Sequence, residues 1–583
     1  MGRGRGDRVP GRVGDDGEGF DLGRWRRRLA VARGDAPADL ILRGGEVLSV
    51  FDESVERADV AIVDGWIAGV GDYADGARTL DCAGLTIVPA FIDAHVHLES
   101  ALVWVTEFAR AVVPRGTGAV VTDPHEMANV AGLAGLREMR AAVRELPLRV
   151  HFTAPSCVPA SRHESPGATL GPEDIAEVLS WPETVALGEL MDFPGTLDGD
   201  EAIGAKLAAA AGYPVDGHSP KLGGRDLQAY AGAGPGADHE STTYEEARAK
   251  LRAGMMIMIR EGSSEQNLHD LLPLVTDATY PRCCFASDDR DCHALSHDGH
   301  VDAILRRAIA GGLDPWRAIR MATWNPARHW GLAGLGAVAP GYRADLALLG
   351  DVRAVEVVAT LHGGQEVARD GRLLAPLADP GSAAPGLRQT VRMAPLRHSD
   401  LRLPASHGTM AVRVIPGQIV TGRVEVIPTT RGDEAVADPV RDLLKLVCVE
   451  RHAASGRVGV GYVEGFGLRR GAIASTIAHD AHNIVAVGAD DVDLLAAIAT
   501  VASSQGGLAV VADGRVLAHL PLPIAGLLSD QPLEVVASAY ADLEDQARQL
   551  GSALPSPFGT LAFMALSVIP AARVTDRGFL SVG

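Results

Sequence analysis

The sequence has few aromatic residues and few cysteines. Phe, Trp and Tyr make up 4% of the 583 residues although 47% are hydrophobic, so the cores must consist mainly of Ala, Val, Leu and Ile. The six cysteines form no CxxC pair and no disulfide framework, which indicates reduced, buried thiols in a cytoplasmic protein. No apolar run reaches the ~18–20 residues of a membrane span. The net charge of −20 disfavours binding to nucleic acid or to an anionic membrane.

The length of 583 residues predicts two to four domains. Residues 1–24 are rich in Gly, Arg and Asp and lack an apolar segment, so we interpret them as a disordered tail and not as a signal peptide. Short strand and turn patterns in residues 25–85 and 336–386 predict two parts of one β-sandwich. Residues 387–583 combine strand patterns with a helical pattern at 491–502, which predicts a separate α+β domain.

Residues 86–335 show a different alternation, in which eight apolar strand patterns each end in a polar cluster. Amphipathic helical patterns lie between several of them. The clearest helical patterns are Leu136–Glu145, Glu173–Leu179, Asp200–Ala211, Thr243–Ala253 and His300–Ala310. The number of units and their total length predict an α/β fold, a (β/α)₈ TIM-like barrel with the metallo-dependent hydrolase architecture.

A His-x-His pair follows the first of these strands, at His95 and His97. Residues i and i+2 of a strand share one face, and imidazole is the commonest neutral metal ligand, so the pair provides half of a metal site. Taken alone, the pair is equally consistent with two strand histidines that face solvent. Four more residues of metal-ligand type lie at predicted strand ends, where such barrels place their active sites: Glu189, His218, His239 and Asp288.

The chain resembles bacterial adenine deaminases of the amidohydrolase superfamily from about Arg26 to the C-terminus. Two sets of motifs carry the resemblance, and the C-terminal set is the more specific to the deaminase branch. In the barrel they are Pro89–Ser100, Asp123–Glu126, Ala186–Glu189, Val215–Pro220, Asp238–Tyr244, Ile259–Ser263 and Ser287–Arg290. In the C-terminal region they are Val449–His452, Gly471–Ser475, Ala478–Asn483 and Leu522–Gly526.

The resemblance implies a binuclear divalent-metal site that deaminates adenine to hypoxanthine and ammonia. His95, His97 and Asp288 would hold one metal, His218 and His239 the other, and Glu189 would bridge them. Manganese or iron is expected, and zinc can occupy such sites. Asp288 is the expected proton shuttle, with Glu189 as the weaker candidate. We also expect a homo-oligomer, specifically a dimer.

Three further groups of polar residues lie within the motifs of the resemblance. His125 and Glu126 either position the substrate or support the metal ligands, whereas Glu261 and Ser263 are candidates for reading the purine edge. His479, Asp480, His482 and Asn483 are interpreted as a structural or interface turn, because nothing in the sequence places them near the barrel mouth.

Other functions remain open at this point. The same barrel could act on a related aminopurine or open a cyclic amide, and the loop Lys221–Gly224 departs from the pattern common in the family. A catalytically inactive scaffold is a further alternative, which the complete set of ligand residues disfavours.

Overall fold

The structure, a computed structural model, describes residues 21–374, 376–405, 410–569 and 571–582. Most of the predicted tail, residues 1–20, lies outside the described part. The chain is helical from Leu22, because the carboxylate of Asp21 caps the helix by accepting the N–H groups of Gly23 and Arg24. The tail boundary predicted at residue 24 was therefore too late.

A helix and five strands precede the parallel strands. They are α1 (Leu22–Ala32), β1 (Leu40–Leu48), β2 (Val55–Val63), β3 (Trp66–Gly71), β4 (Thr79–Asp81) and β5 (Thr86–Pro89).

Strands then alternate with helices up to residue 330. The strands are β6 (Phe91–Val96), β7 (Thr117–Thr122), β8 (Arg149–Ala154), β9 (Thr184–Leu190), β10 (Val215–Gly217), β11 (Ala237–Asp238), β12 (Met256–Arg260) and β13 (Cys283–Ala286). The helices are α2 (Val105–Val112), α3 (His125–Val143), α4 (Pro172–Leu179), α5 (Phe193–Asp198), α6 (Glu201–Ala209), α7 (Gly224–Ala233), α8 (Tyr244–Arg252), α9 (Leu268–Leu271), α10 (Cys292–His297), α11 (Val301–Ala310), α12 (Pro315–Met321) and α13 (Trp324–Trp330).

The eight strands β6 to β13 run parallel in two sheets. Strands β10-β9-β8-β7-β6 form one sheet and β11-β12-β13 form the other. Single parallel bridges lie beside both edges, between Val215 and Pro235 and between Val96 and Asp288. Because all eight strands point the same way, their carboxyl ends form one face of this region, where the polar clusters collect.

The two β segments that flank this region share one sheet. The second segment consists of β14 (Leu346–Leu349), β15 (Val357–His362), β16 (Gln365–Arg369) and β17 (Arg372–Leu373). The strand order is β17-β16-β15-β14-β5-β1-β2-β3, with β4 paired to β1. Strand β14 lies antiparallel to β5, so that Leu346 is opposite Pro89. The predicted pairing between the two distant segments is therefore present.

In its described residues, the C-terminal region adds mostly antiparallel strands and three α-helices. They are β18 (Leu403–Pro404), β19 (Met410–Val414), β20 (Thr421–Glu425), β21 (Thr429–Arg431), β22 (Glu434–Val436), β23 (Leu443–Val449), β24 (Val458–Glu464), β25 (Ala472–Ser475), β26 (Ile484–Gly488), α14 (Asp491–Ser503), β27 (Gly507–Ala512), β28 (Arg515–Pro521), α15 (Leu533–Gln549), α16 (Pro557–Ala562), β29 (Ala571–Thr575) and β30 (Gly578–Val582).

The main sheet of this region has the order β20-β19-β24-β23-β26-β25-β27-β28. One continuous apolar cluster joins it to the parallel-stranded region, and Val103 forms a bridge with Ser529. All six cysteines are buried and unpaired, as expected from their spacing. None of the helices in the described ranges is long and apolar enough to cross a membrane.

Candidate metal centre and active site

The six predicted metal ligands meet at the carboxyl ends of the parallel strands. Their exposed fractions lie between 1% and 9%, so they are shielded from bulk water. Residues up to 193 positions apart come together because parallel strands end on the same face. The six are His95, His97, Glu189, His218, His239 and Asp288.

Glu189 lies at the centre of this group. Its Oε1 is 3.3 Å from Nε2 of His97 and 3.8 Å from Nε2 of His95. Its Oε2 is 2.6 Å from Nδ1 of His218 and 3.3 Å from Nε2 of His239. The two carboxylate oxygens therefore face different imidazoles.

Asp288 and Arg260 form a second polar pair in the site. Oδ1 of Asp288 is 3.1 Å from Nε2 of His97, and Oδ2 accepts a hydrogen bond of 2.8 Å from Nη1 of Arg260. Arg260 also donates to the carboxylate of Glu240, the residue after His239. Sequence reasoning did not assign Arg260 or Glu240 to the site, although each adjoins a predicted strand end.

Hydrogen bonds at the Nδ1 atoms fix the orientation of the His95 and His97 rings. Nδ1 of His95 donates to Oδ2 of Asp216 at 2.8 Å, and Nδ1 of His97 donates to the carbonyl of Asp123 at 2.9 Å. A neutral ring that donates through Nδ1 leaves Nε2 unprotonated, as a metal ligand requires. The Asp123 carboxylate also accepts the backbone N–H of Glu189.

The charges of the site favour bound cations. Burial opposes ionisation of Glu189, yet the hydrogen bond and charge of His218, followed by those of His239, hold the pKa of Glu189 well below its usual range. Burial also opposes charge on His239, whose hydrogen bond to Glu189 raises its pKa to about 10. The buried carboxylate thus stabilises positive charge among the imidazoles.

Divalent cations fit this set of donors. They would supply the positive charge while the imidazoles stay neutral, and mixed imidazole and carboxylate ligation suits several divalent metals. In two overlapping triplets the candidate ligand atoms all lie within 4.8 Å of one another: His95, His97 and Glu189, and Glu189, His218 and His239.

His125 and Glu126 also lie in the site, in the first turn of α3. Nδ1 of His125 is 3.4 Å from Oε1 of Glu189, and its ring meets that of His97 edge-on. Both residues line the cavity in front of the ligand group. The end of the second parallel strand therefore contributes to the site, where the sequence predicted it.

Glu261 and Ser263, proposed from sequence as substrate contacts, are directed away from this cavity. Among the described residues, its wall includes Arg260 but neither Glu261 nor Ser263. The Glu261 carboxylate accepts a hydrogen bond of 2.9 Å from Arg307, and the Ser263 hydroxyl accepts the N–H of Asp291. Successive residues of a strand point to opposite faces, so a strand that directs Arg260 inward directs Glu261 outward.

The turn at residues 479–483 was interpreted as a structural or interface turn, because nothing in the sequence placed it near the barrel mouth. The structure places it at the site. His479 and Asp480 line the cavity. Four apolar residues of the C-terminal region line the same wall: Ile419, Phe563, Leu566 and Ile569. Sequence periodicity could not reveal this, because the contact joins segments more than 350 positions apart.

Comparison with known proteins matches two family models to the chain. The "Amidohydrolase family" covers residues 86–367, and the "Adenine deaminase C-terminal domain" covers residues 418–583. A protein named adenine deaminase from Dehalococcoides mccartyi (strain ATCC BAA-2266) is 46% identical over 557 residues, which are 95% of this chain and 97% of that protein. Another from Methanothrix thermoacetophila is 45% identical over 557 residues, with the same two coverages.

A third protein of that name, from Desulfatibacillum aliphaticivorans, is 44% identical over 558 residues, again 95% of this chain and 97% of that protein. The similarity therefore includes both the parallel-stranded region with its buried ligand group and the C-terminal region that forms one wall of the cavity. The chain belongs to the adenine deaminase family, within the amidohydrolases.

Proposed function

We propose that the protein hydrolyses adenine to hypoxanthine and ammonia. The observation that carries this proposal is similarity to proteins named adenine deaminase over 95% of the chain. The geometry supports it, since a buried set of imidazoles and carboxylates faces a cavity that both matched regions line. Adenine is thus the proposed substrate.

We propose that strands β6 to β13 close into a (β/α)₈ barrel over residues 86–335. The single parallel bridges beside both edges of the two sheets support closure. On this proposal residues 25–85 and 336–386 form one β-sandwich domain, and residues 387–583 form a C-terminal α+β domain. The shared nine-stranded sheet supports the pairing of the two outer segments.

In the proposed centre, His95, His97 and Asp288 would hold one metal, His218 and His239 would hold the other, and Glu189 would contribute one oxygen to each. The opposed contacts of the two Glu189 oxygens support this division. Manganese or iron is proposed, with zinc as a third possibility, because the donor set admits all three. The metals, when bound, lower the pKa of water so that hydroxide is available near neutral pH.

The side chains of the protein then move protons and position the base. Oδ1 of Asp288 accepts the proton of the attacking water, while Arg260 holds its Oδ2 and keeps the carboxylate oriented. Protonation of N1 of adenine removes the negative charge that develops on the ring during attack at C6. The hydroxyl then bound to C6 gives up its proton, which reaches the amine. The C6–N bond breaks, ammonia leaves and C6=O forms, so that one water and one adenine give one hypoxanthine and one ammonia.

Glu189 is a weaker candidate for the proton transfer, because both of its oxygens are engaged by histidines. His125 and Glu126 are proposed to position the substrate beside the metal ligands, supported by their place in the cavity wall.

The proposed function is tested with purified protein loaded with manganese and incubated with adenine. Hypoxanthine and ammonia should appear in equal amounts as adenine is lost. A cyclic ureide serves as the comparison substrate, because ring opening releases no ammonia and would indicate another amidohydrolase reaction. Absence of hypoxanthine from a fully metallated sample would refute adenine deamination.

A homodimer in the cytoplasm remains part of the proposal. Light scattering coupled to size-exclusion chromatography measures the molar mass directly and would return about twice the 60.9 kDa of one chain for a dimer.

A further inference from the structure

The turn at residues 478–482 holds the Glu126 carboxylate from the side of the C-terminal region. Nδ1 of His482 accepts the backbone N–H of Ala478, so the neutral ring carries its proton on Nε2, which contacts Oε2 of Glu126. Oε1 of Glu126 lies 2.5 Å from Nδ1 of His479, which donates to it. Glu126 is 2% exposed and contacts both histidines, so it fixes the position of the His479 ring.

His479 is also held by packing. Its ring lies parallel to that of Phe563, with centroids 4.6 Å apart and an angle of 12° between the planes. Burial lowers the tendency of the ring to be charged, but the charge and hydrogen bond of Glu126 raise the pKa of His479 to about 9. The contact between Nδ1 and Glu126 therefore favours the doubly protonated ring, which has a second N–H on Nε2.

Asp480, the next residue, has a carboxylate oxygen without a partner. Oδ1 lies 3.6 Å from Nε2 of His125, whereas Oδ2 is buried and has no hydrogen-bond partner among the described residues. Asp480 is 3% exposed and lines the cavity next to His479. A buried carboxylate oxygen without a donor is costly, and Asp480 lines the cavity, so an N–H group of a ligand bound there would supply the missing donor.

We propose that His479 and Asp480 bind the five-membered ring of the purine, and so make the C-terminal region the element that selects the free base. His479 donates to the unprotonated nitrogen of that ring, and Asp480 accepts its N–H. The inference rests on the proposed function, since it requires a purine in the cavity. A purine substituted at N9 has no N–H group in its five-membered ring, so it would leave Asp480 without a hydrogen-bond donor.

The test measures equilibrium binding to the metal-loaded protein, without turnover. The probes are hypoxanthine, 9-methylhypoxanthine, which lacks the ring N–H, and 7-deazahypoxanthine, which lacks the acceptor nitrogen. The variants are Asp480→Asn and His479→Gln. His519→Gln is the matched control, because His519 lies in the same region but bonds to Ser504 and is not in the cavity wall.

Loss of a hydrogen bond to a buried partner should weaken hypoxanthine binding on the order of 10–100-fold in each variant. Asp480→Asn should leave 9-methylhypoxanthine binding nearly unchanged, and His479→Gln should leave 7-deazahypoxanthine binding nearly unchanged. The control variant should bind all three as the wild type does. Metal content and the thermal unfolding midpoint verify that each variant is folded.

Equal losses for all three ligands in both variants would overturn the inference, because a residue that only supports packing cannot distinguish ligand atoms. Unchanged hypoxanthine binding in both would overturn it as well. Should the metal-loaded wild type form no hypoxanthine from adenine, the proposed function fails and the inference with it. Failure of the inference alone leaves that activity intact, so the two failures are distinguishable.

Discussion

Replacement of Asp288 by Asn separates proton transfer from metal ligation. In the wild type, Oδ1 of Asp288 faces His97 at 3.1 Å and Oδ2 accepts from Arg260 at 2.8 Å. Asparagine has one oxygen, so its NH₂ group must face either the guanidinium or the ligand site. With its oxygen toward Arg260, a ligand is lost. With its oxygen toward the ligand site, its NH₂ group faces the N–H groups of Arg260, so that two hydrogen-bond donors oppose each other. In neither orientation can the amide accept the proton of water.

We expect the turnover of Asp288→Asn to fall on the order of 10²–10⁴-fold, the usual contribution of a general acid or base. Metal content should fall much less, because the other five predicted ligands remain. Turnover and metal stoichiometry are measured on the same preparation. Asp298→Asn is the control, since it makes the same change in an exposed ion pair with Arg307. A rate that falls only in proportion to the lost metal would show that Asp288 is a ligand without a role in proton transfer.

Three further predictions concern the ligands, their support and the interface with the C-terminal region. His95→Ala and His218→Ala should each lose bound metal and activity with little change in the unfolding midpoint, and wild-type turnover in either would exclude that residue as a ligand. Asp216→Asn removes the carboxylate that orients His95 and should weaken metal binding about 10–100-fold in a metal titration, with activity recovered at high metal; unchanged affinity would contradict this. Burial, followed by the charge of Asp480, raises the pKa of Glu164 from 4.5 to about 8. The folded state therefore binds more protons than the unfolded state between these values, and stability falls as pH rises through this window. Glu164→Gln should raise the unfolding midpoint at pH 8.5 more than at pH 5, and an equal shift at both would refute the assignment.

The parallel strands and their polar ends could be predicted because those signals are local. Apolar runs followed by polar clusters predicted the eight strands β6 to β13 and placed most of their ends within one or two residues, and the helical pattern at Glu173–Leu179 matches α4 within one residue. Once the strands are parallel, the meeting of residues as distant as His95 and Asp288 follows from geometry alone. The group of metal-ligand residues could therefore be predicted from the sequence.

The residues of the cavity wall were harder to predict from the sequence, for two physical reasons. Arg260 and Glu261 are neighbours of similar polarity at one strand end, and a shift of one residue exchanges the inward and outward faces. Sequence reasoning chose Glu261, whereas the strand directs Arg260 inward. The position of His479 depends on how the C-terminal sheet packs against the parallel strands, and hydrophobic periodicity contains no information about that contact.

The predicted metal ligands and the C-terminal cavity residues lie in different parts of the chain. This explains why the His-x-His motif identifies only the superfamily, whereas the C-terminal motifs identify the adenine deaminase branch. The predicted metal ligands all lie in residues 95–288, within the region that matches the amidohydrolases in general. His479 and Asp480 lie in the region that matches the adenine deaminase C-terminal domain, and Glu126 joins the two sets through its contact with His479. On our proposals, hydrolytic chemistry is supplied by the strand ends and choice of the purine base by the C-terminal wall. A substitution in that wall should therefore change which base is bound while the bound metal remains.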